Sequence, residues 1–159
     1  MYSTTRRAQR DYERSNDIVE MTVAPAPDAV EATSHLAGGL VANDRLAVEA
    51  ASQAIVSSLC RSLGVRDLPV KVGYKRLIRG RVQFYGFCGK DGYMTLYFKT
   101  GKTNKPVAHK TYLRTLVHEL THHLDWVHLR LLHSYHTRGF YGRVRSLYEG
   151  LLEATGGRA

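Results

Sequence analysis

Leu113, Leu116, Val117, Leu120 and Leu124 recur at i, i+3, i+4, i+7 and i+11, the spacing of one apolar face of an α-helix. Any fold open to this chain must bury that stripe. The spacing predicts a helix from about 107 to 131, with Pro106 suited to its first turn, where a missing N–H costs nothing. A second helical face is written upstream in Ala47, Ala51, Ile55, Leu59 and Leu63. Asp44 is placed to cap the N-terminus of that helix and Gly64 to end it, so it should run from 44 to 63.

Between the two helical stretches the period changes. Leu68, Val70, Val72 and Tyr74 alternate with Pro69, Lys71, Gly73 and Lys75, the period-two pattern of a strand with one buried face. A second run, Arg81 to Phe87, puts Val82 and Phe84 on one face. Then the Asp91-Gly92 pair signals a hairpin. A third run, Tyr93 to Phe98, offers Met94, Leu96 and Phe98 to the core. Residues 68–98 therefore read as a three-stranded, mostly antiparallel meander. Phe140, Val144, Leu147, Tyr148, Leu151 and Leu152 keep helical spacing in a last helix closed by Gly156-Gly157. The class is α+β: an N-terminal helix, a short sheet, then two helices.

Residues 1–38 mix Ser, Thr, Arg and Asp with an Ala-Pro-Ala-Pro segment at 24–27 and only scattered large apolar side chains. Such a stretch buries little surface and is expected to be a disordered arm, leaving 39–159 as the folded domain. Its arginines are followed by no apolar segment, and no run in the chain approaches the roughly 18 apolar residues of a membrane span. A cytoplasmic protein without membrane contact is the expectation. Cys60 and Cys88 stand apart with no Cys-x-x-Cys pairing, which argues against a disulfide framework or a thiolate metal site. Gly101-Lys102-Thr103 is not a phosphate loop, because the first glycine of that motif would fall on Leu96.

The formal net charge of +9 is concentrated: residues 61–110 carry 12 basic and 2 acidic side chains. A block of this kind favours DNA or an acidic partner, and it equally suits the wet face of a sheet.

The long helical stripe carries His118-Glu119-Leu120-Thr121-His122 on a neighbouring edge. Residues four apart share a helix face, so both imidazoles can reach one metal ion. Glu119, about 100° round the helix, is placed to take a proton from water bound there. A catalytic zinc usually has three protein ligands and one open position. His123 and His128 point elsewhere on the helix, and a straight helix would carry His133 about 16 Å too far along. His136, beyond a helix break, can double back and is the leading third ligand. His133 with a different break, Glu149 and Glu153 remain alternatives. Asp125, three residues after His122, is expected either beside the site as acceptor for a ligand imidazole or as an exposed helix carboxylate.

His118-Glu119-x-x-His122 followed by His136-x-x-x-Phe140-Tyr141 at the start of an amphipathic helix resembles the SprT-like metallopeptidases, which include the Spartan-type proteases of DNA–protein crosslinks. The resemblance covers about Leu113 to Leu152 and implies a small zincin. In it, His118, His122 and His136 would hold Zn²⁺ and Glu119 would be the catalytic acid/base of an endopeptidase acting on DNA-associated proteins. Thr137 stands where the family often has glycine. The expected substrate is an extended peptide added to a sheet edge along Tyr93 to Phe98. A basic nucleic-acid-binding module, with structural zinc or none, is the alternative of a different class.

Overall fold

The computed structural model describes residues 5–75, 77–79, 82–89 and 92–156. Its elements run α1 (Arg6–Asp17), α2 (Pro27–Val41), α3 (Arg45–Ser62), β1 (Val70–Lys75), β2 (Leu77–Arg79), β3 (Val82–Phe84), β4 (Gly86–Cys88), β5 (Met94–Lys99), α4 (His109–Val127) and α5 (Arg138–Ala154). This is the α+β class expected, in the order helices, sheet, helices. Among the described residues no helix is long and apolar enough to cross a membrane.

Two expectations about order fail. Most of the supposed arm is helical: α1 lies against α5, and α2 lies against α3. A boundary at 38/39 would cut through the last turn of α2. Pro27 opens α2, and Ala29, Ala32, Thr33, Leu36 and Leu40 are buried along it. Gly39 lets the two backbones close up, since a Cβ there would sit 3.1 Å from the backbone nitrogen of Val48.

The sheet is mixed and is not a meander. β5 is its centre, parallel to β1 (Val70 opposite Met94) and antiparallel to β4 (Gly86 opposite Leu96). β2 and β3 form a separate antiparallel pair. The run expected as one strand over 81–87 is thus two, β3 and β4, interrupted at Tyr85. Arg81, the turn residues Lys90 and Asp91, the side chains of Val82 and Phe84, and Gly157 lie outside the described residues. Met94, Leu96 and Phe98 alternate into the core as expected and are fully buried.

The outer edge of β1 is covered by side chains of α3. Gln53 accepts from the N–H of Val70 and donates to the carbonyl of Leu68, Glu49 accepts from the N–H of Val72, and Arg45 donates to the carbonyl of Val72. Residues 45, 49 and 53 follow one helix face, so three polar side chains take the place of a strand. The edge left at the other side of the three-stranded sheet is β4, against which α4 packs.

α4 is seated by its stripe. Leu113, Leu116, Val117, Leu120 and Leu124 are all fully buried, each such side chain contributing about 2 kcal/mol by area removed from water. Tyr112 adds a 2.7 Å hydrogen bond to Ser52 on α3. The helix stops at Val127, four residues short of expectation, because Arg130 adopts the left-handed conformation (φ 60°) and the N–H of Leu131 turns back to the carbonyl of Asp125.

Candidate metal centre

His118 and His122 project from adjacent turns of α4. The early end of that helix lets the chain reverse, and His136 comes back from the loop before α5. The nearest ring nitrogens of the three lie within 4.8 Å of one another, and they form the group among the described residues able to hold a metal ion. Nε2 of His122 and Nε2 of His136 are 3.0 Å apart, against roughly 3.3 Å for two nitrogens on a tetrahedral zinc. Two imidazole lone pairs that close repel unless a proton or a cation lies between them, so the geometry fits a cation. Phe140, fully buried, is the floor: its ring stacks on His122 at 4.5 Å and meets His118 edge-on at 5.0 Å.

The other candidates are elsewhere. His123 faces inward and bonds the carbonyl of Arg66. His128 is exposed, and so are Glu149 and Glu153. His133 does not continue a straight helix as supposed; its Nδ1 sits 3.3 Å from Asp11.

Burial lowers His118 to about 4 and His122 to about 3, with neighbouring histidines adding to the effect. Both imidazoles are therefore neutral at pH 7, the form that ligates metal. Burial acts oppositely on Glu119 and raises it to about 7, while a hydrogen bond from the backbone of Cys88 pulls the other way. A carboxyl that changes protonation near neutral pH is suited to both taking and returning a proton. Gly86 makes room for it: a Cβ there would come within 3.2 Å of Glu119 Cγ.

Asp125 is fully buried and does not touch a ligand imidazole. It acts through Ser134, whose hydroxyl donates to Asp125 Oδ2 at 2.9 Å and lies 3.0 Å from His122 Nδ1. Arg143 holds both carboxylate oxygens, Nε to Oδ1 at 3.0 Å and Nη2 to Oδ2 at 2.8 Å. Burial raises the Asp125 carboxyl above its ordinary range, and the Arg143 bonds and Ser134 oppose that. Because the Ser134 hydrogen goes to Asp125, its oxygen must accept from His122 Nδ1–H. That places the proton on Nδ1 and leaves Nε2 free to bind a cation, an outer arrangement common around ligating histidines.

The same guanidinium reaches α1. Arg143 Nη1 donates to the carbonyls of Ser15 (2.7 Å) and Ile18 (2.5 Å), groups left without partners at a helix C-terminus. Ser15 Oγ meets Thr137 Oγ1 at 3.0 Å, and Thr137 caps α5 by accepting from the N–H of Phe140. Asp11 accepts from the N–H groups of Leu132 and His133. The loop carrying Ser134 and His136 is thus held by α1 on one side and by α4 and α5 on the other. Ser134, Arg143, Asp11 and Ser15 were not singled out from the sequence. One signal was present, since Arg143 falls within the apolar stripe of α5, where a charge requires a buried partner.

A cleft of about 760 Å³ opens beside the histidines, lined by Tyr85 and Gly86 on one side and by α4 from Lys110 to Glu119 on the other, with His136 and Tyr148 closing it. Tyr141 is half-exposed, its ring 5.8 Å from that of His136 and 6.1 Å from that of His118. Tyr135 packs instead on Tyr12 and His133.

Compared with protein-family models, curated proteins and solved structures, the chain matches none.

Proposed function

We propose that the protein is a zinc-dependent endopeptidase of SprT-like type. The observation that carries this reading is the convergence of His118, His122 and His136 next to the half-buried Glu119, at an open cleft that His118, Glu119 and His136 help to line. A structural zinc is normally closed by four protein ligands, and among the described residues no fourth His, Cys, Asp or Glu joins these three. That weighs against the histidines serving only to brace a nucleic-acid-binding module. Three imidazoles without thiolates suit zinc among the common divalent ions.

A zinc ion held by His118, His122 and His136 would polarise the scissile carbonyl as a Lewis acid and would lower the pKa of water to about 7. Glu119 takes the proton of the attacking water and delivers it to the departing amine. The His122–Ser134–Asp125–Arg143 chain holds one ligand in the required tautomer. Phe140 shields the rear of the cluster. The substrate lies extended along β4 rather than along β5, which has strands on both sides. Tyr85 and Phe87 alternate toward β5, so Gly86 and Cys88 turn their backbone groups outward, and the N–H of Cys88 is the one Glu119 engages.

Zinc-loaded protein should cleave casein, stop on addition of a chelator and recover with added zinc. Glu119→Gln should retain zinc and lose about 10²- to 10⁴-fold in turnover. Cleavage by Glu119→Gln at the wild-type rate would contradict the assignment.

A further inference from the structure

The cleft has a charge pattern that bears on which peptides it accepts. Lys110 and Arg114, one turn apart on α4, both line it, and Glu119 is its one carboxylate. Both cations are exposed, and among the described residues neither has an acidic partner. Arg114 is held in place by the ring of Tyr148, with its guanidinium carbon 4.8 Å from the ring centre. Two unpaired cations on one wall, facing no counter-charge but the general base, leave negative charge to be supplied by whatever enters.

Their spacing sets a register. By helix rise, Arg114 lies about 6 Å and Lys110 about 12 Å before His118 along α4. An extended chain advances about 3.3 Å per residue, so these positions correspond to side chains roughly two and four residues from the metal. In an extended strand, residues two apart project on the same side. We propose that the cleft selects peptides bearing acidic side chains about two and four residues to one side of the bond cut, received by Arg114 and Lys110. This rests on the peptidase reading and adds a substrate class to it.

The test uses three fluorescein-labelled decapeptides, (Glu-Ala)5, (Gln-Ala)5 and (Lys-Ala)5, whose alternation presents the charge in any register, and a ten-nucleotide oligo-dT. Anisotropy with full-length, zinc-loaded Glu119→Gln protein at physiological salt should show (Glu-Ala)5 binding about tenfold more tightly than (Gln-Ala)5. Adding Arg114→Gln or Lys110→Gln should remove most of that preference, and the doubly reversed Lys110→Glu/Arg114→Glu should favour (Lys-Ala)5. Equal binding of the Glu and Gln peptides would overturn the proposal. So would oligo-dT binding more tightly than (Glu-Ala)5 through Arg114, which would assign the cations to nucleic acid. If (Glu-Ala)5 binds as described but the active wild type cuts neither it nor casein, the acidic-peptide site stands and the peptidase reading falls.

Discussion

The side chain on which the site's chemistry turns is Ser134, which contributes no ligand. It converts a buried ion pair into a tautomer choice: Arg143 holds Asp125, Asp125 receives the Ser134 hydrogen, and His122 gives its Nδ1 proton to Ser134. Ser134→Ala removes that link with almost no change in volume and leaves Asp125 its two bonds from Arg143. Zinc affinity should fall about 10- to 100-fold with the far-ultraviolet circular dichroism unchanged, as read by competition with a chromophoric chelator. An unchanged affinity would show that His122 needs no such partner. The link was not legible from spacing. Asp125 could be counted from His122, but Ser134 sits in a loop whose path depends on where α4 stops, and the left-handed Arg130 that stops it is not a residue type that announces such a turn.

Among the elements, α1 shows most clearly what apolar patterning misses. Its buried residues are Ala8, Asp11 and Ser15, at helical spacing but with almost no apolar area, so reasoning from hydrophobic burial finds nothing to hold it. It is held by hydrogen bonds and by a close approach to α5. A Cβ on Gly139 would fall 1.9 Å from the carbonyl oxygen of Ser15, and one on Gly142 would fall 2.2 Å from that of Val19. Gly139→Ala must therefore push the two helices apart, at an expected cost of about 1–3 kcal/mol in denaturant unfolding, and should loosen zinc through Ser15, Thr137 and Arg143. Gly150→Ala on the same helix is the control. Its Cβ would come no closer than 3.8 Å to the carbonyl of Val23, so it should be neutral or gain up to about 1 kcal/mol from helix propensity. Equal effects at the two positions would contradict the clamp. α2 was a different miss: Ala29, Ala32, Thr33, Leu36 and Leu40 repeat the spacing that revealed α4, but in residues small enough to be passed over beside the Pro-rich segment.

For the whole molecule, the arrangement has a single logic. A long apolar helix fixes two imidazoles at the sheet, and a polar clamp built from both ends of the chain brings in the third. The apolar half of this was legible in advance, because period and burial are tied: the stripes of α3, α4 and α5 and the alternation of β5 are where they were expected. The strand order was not, because local alternation does not say which strand sits between two others. β5 pairs with β1 across more than twenty residues of sequence. That pairing leaves β4, not β5, as the edge beside the cleft. The motif at 118–122 and the choice of His136 needed only helix geometry and one chain reversal, and the fold brings the three imidazoles together.

The most direct test is the metal itself. Zinc titrated into chelator-stripped protein, followed by calorimetry and X-ray absorption, should give one ion per chain bound by three imidazole nitrogen donors and one solvent oxygen donor, and His136→Ala should bind at least about 100-fold more weakly. No binding, a fourth protein donor, or full affinity in His136→Ala would contradict an open three-histidine centre.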